Sequence, residues 1–334
     1  MGEFELIRRH FQRSAPEGSA VVLGVGDDCA LLQPPPGEQL AVSCDMLVEG
    51  RHFFPDADPQ ALGHKALAVN LSDLAAMGAR PLGFTLALAL PQADEAWLAA
   101  FARGLFALAD AHACPLVGGD TTRGPLNLCV TVFGEVAPGQ ALRRDAARAG
   151  DDVYVSGRTG EARLALEHLR GTGWALAATG AAGLNTDLRA RLERPTPRLA
   201  LGLALRGVAH AAADISDGLS GDLGHILAAS GVGATLHAPA VLQATSADLR
   251  GTGDARALAY ALTGGDDYEL VFTAPPDARA RVQAAAQAAA TPVTRIGRLC
   301  PARPGEPAVR LLDAQQRPLA PPAGARLGGF DHFG

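Results

Sequence analysis

One unit recurs along this chain: an apolar run short enough for a strand, then glycine, then one or two carboxylates. Val21-Val22-Leu23 leads through Gly24 and Gly26 to Asp27-Asp28, and Leu116-Val117 leads through Gly118-Gly119 to Asp120. Leu262-Thr263-Gly264-Gly265 leads to Asp266-Asp267, while Ala213 runs directly into Asp214-Ile215-Ser216-Asp217-Gly218. Leu40 to Cys44 reads as a further strand that ends on Asp45. Singly, each is an ordinary turn, because glycine and aspartate are ordinary turn residues. Their recurrence between helical stretches instead describes an alternation of strands and helices with acids at the strand ends. Two carboxylates ~4 Å apart repel by ~4 kcal/mol at an effective dielectric of about 20, so something positive must offset them.

The helical stretches read as Phe4–Phe11, Pro59–Met77 and Glu95–Ala113, the last capped by Asp94. Asp73 sits inside the apolar pattern of Leu71, Leu74 and Met77, so it is either on an exposed stripe or buried with a partner. A polar stretch from Ala141 to Gly150 separates two halves, taken as domains 1–145 and 146–334. The second half opens with a strand from Asp152 and continues with helices near Glu161–Leu169, Leu184–Leu192 and Pro197–Leu205. A helix Asp222–Ala229 with Ser220 as cap, a strand Leu270–Thr273 and a helix Arg279–Ala290 follow. A chain of 334 residues is long for one core. The expected class is a two-domain α/β (α+β) protein.

A net charge of −6 without any basic run argues against a nucleic-acid partner. It leaves room for a phosphorylated ligand whose charge is met by metal ions. The five cysteines (Cys29, Cys44, Cys114, Cys129, Cys300) form no C-x-x-C pair, which points to a reduced cytoplasmic protein without a zinc knuckle. Neither a signal-peptide segment nor a run long enough to span a membrane is present. Lys65 is the one lysine among 29 basic side chains, a bias that reflects nucleotide composition of the source. Without another lysine there is no G-x-x-x-x-G-K-[ST] phosphate loop, and no G-x-G-x-x-G opens a helix after a strand. A nucleotide must therefore be held through metal ions and arginines. Carboxylates beside glycine suit magnesium and a phosphate approached closely by backbone. His52, in a loop, reads either as a ligand or base or as an exposed residue.

Six stretches in order resemble the thiamine-monophosphate kinase family, within the superfamily of aminoimidazole ribonucleotide synthetase and selenophosphate synthetase. They are Gly26 to Ala30, Asp45 to Phe53, Lys65 to Met77, Gly118 to Gly124, Asp214 to Leu219 and Gly264 to Leu270. The resemblance implies ATP-dependent phosphorylation of thiamine monophosphate to thiamine diphosphate by direct in-line transfer, with several Mg²⁺ ions and no covalent intermediate. It implies Asp28, Ser43, Cys44 (through its backbone), Asp45, Asp73, Asp120, Asp214 and Asp217 as metal ligands. Nucleotide contacts would be Gly119, Asp120, Arg144 and Ser216, and substrate contacts His52, Asp266 and Phe330. No residue is expected as general base. The N-terminal domain would bind ATP and metal and dimerise through its sheet, and the C-terminal domain would complete the active site. Three positions depart from the family: Cys44 replaces Thr or Ser, Asp145-Ala146-Ala147 replaces Ser-Gly-Ala, and Asp266 replaces Glu. The alternatives are another ATP-dependent synthetase of the superfamily and a non-catalytic nucleotide- and metal-binding dimer. A selenophosphate synthetase would want a reactive cysteine in a glycine-rich N-terminal segment, which is missing.

Overall fold

The computed structural model describes residues 3–179, 183–303 and 305–322, so Phe330 lies outside the described residues. Helix and sheet are mixed throughout, as the α/β reading expects, and the chain divides into two units. The first comprises Met1–Leu74 and Ala79–Ala141, the second Ala75–Gly78 and Leu142–Gly334.

In the first unit, α1 (Glu3–His10) precedes a small hairpin of β1 (Val21–Leu23) and β2 (Leu31–Leu32). Then come β3 (Gln39–Val48), α2 (Pro59–Ala76), β4 (Arg80–Leu90), α3 (Glu95–Ala111), β5 (Leu116–Arg123) and β6 (Asn127–Val136). Four of these strands form a sheet in the order β3-β6-β4-β5, parallel only between β4 and β5. Strand periodicity puts alternate residues on opposite faces. Leu128, Val130 and Val132 of β6 and Phe84, Leu86 and Leu88 of β4 are buried accordingly. α2 covers that face, with Leu74 packed against Gly134. The opposite face keeps Val42 and Met46 55% exposed and Leu40 51% exposed. α3 starts where the sequence says it should: Asp94 accepts hydrogen bonds from the backbone N–H groups of Ala96 and Trp97.

The second unit runs β7 (Asp152–Ser156), α4 (Glu161–Leu169), α5 (Gly173–Thr179), α6 (Thr186–Glu193) and α7 (Leu199–Ala204). β8 (Ala211–Asp214), α8 (Leu219–Ser230), β9 (Val232–His237), α9 (Ala238–Gln243), α10 (Ala247–Arg250) and α11 (Asp254–Thr263) follow. It ends with β10 (Leu270–Ala274), α12 (Arg279–Ala288), β11 (Val293–Pro301), β12 (Val309–Leu312) and β13 (Pro318–Leu319). The sheet order is β13-β12-β9-β11-β7-β10-β8, antiparallel except between β9 and β12. Val153, Val155, Ala213, Val271 and Ile296 from the sheet share one core with Leu223, Ile226 and Leu227 of α8.

Three expectations are corrected. Asp45 lies inside β3, and Asp120 inside β5, rather than at strand ends. In β5 the strand runs on through Gly118-Gly119 because pairing with β4 continues from Leu86↔Gly119 to Leu90↔Arg123. Ser220 is not a cap: α8 begins at Leu219 and Ser220 turns inward to donate to the Leu262 carbonyl at 2.9 Å.

Candidate active site

Within the first unit, the expected ligands divide by the alternation of β3. Ser43 and Asp45 turn toward α2, and Cys44 points to the open face, where its Sγ lies 3.3 Å from Cys129 Sγ. Ser43 Oγ donates to Asp73 Oδ2 at 2.5 Å, and the Asp45 backbone N–H donates to Asn70 Oδ1 at 3.0 Å. Asp73 is thus neither of the extremes its helix allowed; it is half-buried and partnered by a serine. Asp28 is exposed in the turn between β1 and β2, and its N–H donates to Asp27 Oδ1 at 2.8 Å. Asp120 is exposed on β5, paired in register with Ala87. Gly119 beside it has φ +146°, and a Cβ there would stand 1.9 Å from the Leu86 carbonyl oxygen, so no side chain fits.

His52 lies in the turn after β3. The Val48 N–H donates to its Nδ1 at 2.9 Å. A ring that accepts at Nδ1 carries its proton on Nε2 in the neutral state, so the outer nitrogen is a donor rather than a base.

The second unit gathers four more of the expected residues. Asp214 closes β8, and Ser216 and Asp217 follow in the loop before α8. The backbone of Asp266 donates to the Ser216 carbonyl at 2.8 Å, and that of Tyr268 to Ile215 at 2.9 Å. This lays the turn 264–269 beside the 214–217 loop. The turn is conformationally demanding: Gly265, Asp266 and Tyr268 all have positive φ, of 66°, 58° and 48°. Gly265 needs its bareness also for space, since a Cβ would come within 2.9 Å of the Ser216 carbonyl. Arg144 is exposed on a single 3-10 turn whose carbonyl accepts from Ser230 Oγ at 2.7 Å. The departure at Asp145 is locally answered: Arg143 donates to both its oxygens, and these hydrogen bonds hold its carboxyl below the usual range.

Sequence reasoning missed the acids that fix these loops. Asp222 accepts from the N–H groups of Asp217 and Gly218, both at 3.1 Å, and burial together with the charge of Asp217 pushes it up to about 7. Asp267 is wholly buried; its Oδ2 accepts from the Gly160 N–H at 2.8 Å, and burial pushes it up to about 8. Glu269, equally buried, takes the opposite course. Burial opposes its charge, but Arg198 donates to both oxygens at 2.7 and 2.6 Å and Arg191 to Oε1 at 2.7 Å, which holds it below its ordinary value. Ser156 Oγ completes the set at 2.6 Å. The arginines stand 71 and 78 positions away in the chain, a spacing that carries no local signal.

The donors in both units are hard oxygens of carboxylate and hydroxyl, the set that suits Mg²⁺. Among the described residues, no three His, Cys, Asp or Glu side chains are gathered into a preformed cation cage.

A family described as AIR synthase related protein matches this chain, its N-terminal domain over residues 26–136 and its C-terminal domain over 148–309. A thiamine-monophosphate kinase from Salmonella typhimurium is 48% identical over 298 residues, 89% of this chain and 90% of that one. The crystal structure of a thiamine-monophosphate kinase from Stenotrophomonas maltophilia is similar at 50% identity and a TM-score of 0.80, covering 88% of this chain and 92% of that one. A structure of AaThiL complexed with AMPPCP and TMP is 27% identical with a TM-score of 0.72, over 99% of this chain and 96% of that one.

Proposed function

The chain belongs to the thiamine-monophosphate kinases among the AIR synthase related proteins, and from that premise we propose that it transfers the terminal phosphoryl group of ATP to thiamine monophosphate, giving thiamine diphosphate and ADP. The observation that carries the reading is the likeness, over nearly the whole chain, to a protein solved with AMPPCP and TMP together. Purified protein supplied with ATP, Mg²⁺ and thiamine monophosphate should form thiamine diphosphate and ADP in equal amounts. ADP release that ignores the acceptor, or no turnover, overturns it.

Asp28, Ser43, the Cys44 backbone, Asp45, Asp73 and Asp120 from the first unit, with Asp214 and Asp217 from the second, would hold the Mg²⁺ ions. Bound there, the ions supply cancellation of the repulsion between two polyanions and fix them in line. Arg144 and Ser216 hold the nucleotide, and the bare backbone at Gly119 admits a phosphate closely. His52, with Nδ1 already engaged, presents Nε2–H to a substrate oxygen. No general base is needed, because the acceptor phosphate has a second pKa of about 6 and is already a nucleophile at neutral pH. Asp266 and Phe330 complete the substrate contacts. The first domain, 1–145, binds ATP and metal, and the second, 146–334, completes the site.

We further propose a homodimer built on the open face of the first unit's sheet. Leu40, Val42 and Met46 alternate on one side of its outer strand, each more than half exposed, with Phe133 opposite Val42 in register. A contiguous apolar sheet face of this kind marks an interaction surface. Light scattering should report a dimer that Val42→Lys with Met46→Lys converts to monomer; a monomeric parent chain ends the idea. Among the described residues no helix is long and apolar enough to cross a membrane, and we place the enzyme in the cytoplasm with its nucleotide.

A further inference from the structure

Three polar side chains of α2 meet the β3 segment in reverse order. Asp73 takes the Ser43 hydroxyl at 2.5 Å, Asn70 takes the Asp45 N–H at 3.0 Å, and Lys65 Nζ approaches the His52 carbonyl at 3.5 Å. At 3.6 residues per turn these three positions share an arc of roughly 140°. α2 is therefore joined to β3 and the turn after it by polar rungs that run antiparallel. The function proposed above uses Ser43, Asp45, His52 and Asp73, and leaves Asn70 and Lys65 without a role.

Asn70 is 1% exposed and both ends of its amide are engaged. Nδ2 donates to the Ala66 carbonyl at 3.0 Å, which aims Oδ1 at Asp45. β3 is the outer strand of its sheet, so a backbone N–H turned away from β6 finds no strand to bond. Asn70 supplies that acceptor at the residue expected to ligate metal.

Lys65 is 4% exposed. Taking an ammonium so far out of water is costly unless its protons are met. It is also the one lysine among 29 basic side chains. In a chain that fills every other basic position with arginine, a lysine at a buried site marks a place for a compact ammonium rather than a planar fork. The turn it reaches is closed on itself by His52 N–H to Val48 O at 3.0 Å, Gly50 N–H to Phe53 O at 2.9 Å and Val48 N–H to His52 Nδ1 at 2.9 Å. Lys65 ties that closed turn to α2.

We infer that Asn70 and Lys65 are positioning residues, Asn70 for the metal-binding stretch of β3 and Lys65 for the turn that carries His52. The inference rests on the proposed function, and steady-state kinetics of the full chain separate the two. Lys65→Met, which keeps length and apolar volume, should raise KM for thiamine monophosphate at least tenfold while kcat and KM for ATP stay within threefold. Lys65→Arg should not restore it, and serves as the test if Lys65→Met fails to fold. Asn70→Ala should instead raise the Mg²⁺ concentration for half-maximal rate at least fivefold with little change in KM for thiamine monophosphate; Asn70→Ser should do the same if the alanine variant does not fold. A parent chain without turnover removes the functional reading and this inference with it. An active parent whose variants lose only thermal stability, or lose kcat without these selective shifts, overturns the positioning roles alone. A Lys65→Arg variant with parental KM does so too.

Discussion

The two units treat their acids differently. Around α2 and β3, the Asp73 carboxylate accepts from the neutral hydroxyl of Ser43. In the second unit Glu269 is met by two arginines and a serine, and Asp152 by Arg279 and Arg295. A buried carboxylate already neutralised by guanidinium has its charge spent on the fold, because breaking such a pair strands a charge away from water. A hydroxyl that donates to a carboxylate, as Ser43 does to half-buried Asp73, leaves that carboxylate's charge in place. The comparison sets acids tied to guanidinium, which hold the structure, beside Asp73, which the proposed function reserves for chemistry.

The largest expected effect tests the reserved class. Asp73→Asn keeps the shape and the Ser43 contact but removes the charge. It should lower kcat by about 10³, in line with the roughly 2.7–4 kcal/mol lost when one preorganised electrostatic group is removed. Its melting temperature should stay near that of the parent. Turnover close to the parent rate in saturating Mg²⁺ would place Asp73 in the structural class and break the division.

The structural class predicts the reverse pattern. Glu269→Gln removes the buried carboxylate that Arg191 and Arg198 share, leaving Arg191 its ion pair with Glu161 at 3.3 Å. Urea unfolding should report a loss of about 3–5 kcal/mol, the usual cost of removing one partner of a buried pair. The Mg²⁺ requirement of the folded fraction should not move. A variant of parental stability that needs more Mg²⁺ would turn the assignment around.

Asp267 sharpens the comparison because it is buried two residues from Glu269 yet is pushed up to about 8 by that burial. An unfolded aspartate titrates near 3.9. Between those values the folded chain holds a proton that the unfolded chain releases, so this group makes stability fall as pH rises from about 4 to 8. Glu269, held below its ordinary value, contributes stability above the unfolded carboxylate range and loses it as pH falls through the depressed one. Asp267→Asn should flatten the decline between about pH 4 and 8, where one proton of difference is worth ~1.4 kcal/mol per pH unit. Chemical unfolding at pH 5, 6 and 7.5 checks this; an unaltered slope means Asp267 is ionised in the folded chain.

Much of this was legible where the signal is local. Asp94 before an apolar helical repeat gave the start of α3, and the apolar run after Glu269 gave β10. Glycine misled where tertiary pairing overrode turn chemistry: Gly118-Gly119 reads as a stop, but hydrogen bonding to β4 carries β5 through them. Ser220 reads as a cap because its hydroxyl could serve the helix, and α11 draws that hydroxyl inward instead. Alanine-rich stretches such as α5 and α11 offer little contrast between faces, so their bounds were not visible. The individual acids of the candidate site were all readable as residues, whereas the Glu269–Arg191–Arg198 set was not, since it exists only once the chain has folded.

The smallest expected effect concerns Asp266, where the resemblance implies glutamate. Its φ of 58° is left-handed. Aspartate enters that region more readily than glutamate, whose cost there is roughly 1 kcal/mol greater at most. The shorter acid therefore relieves a strained turn and gives up one methylene of reach. Asp266→Glu should exchange the two: KM for thiamine monophosphate falls about two- to threefold, and the melting temperature drops by about 2–4 °C, the shift expected for ~1 kcal/mol in a domain of this size. Asp266→Asn keeps the favoured conformation without the charge, so it should melt like the parent while KM rises several-fold. If neither variant alters KM, the turn 264–269 faces no substrate, and Asp266 joins Glu269 among the acids that serve the fold alone.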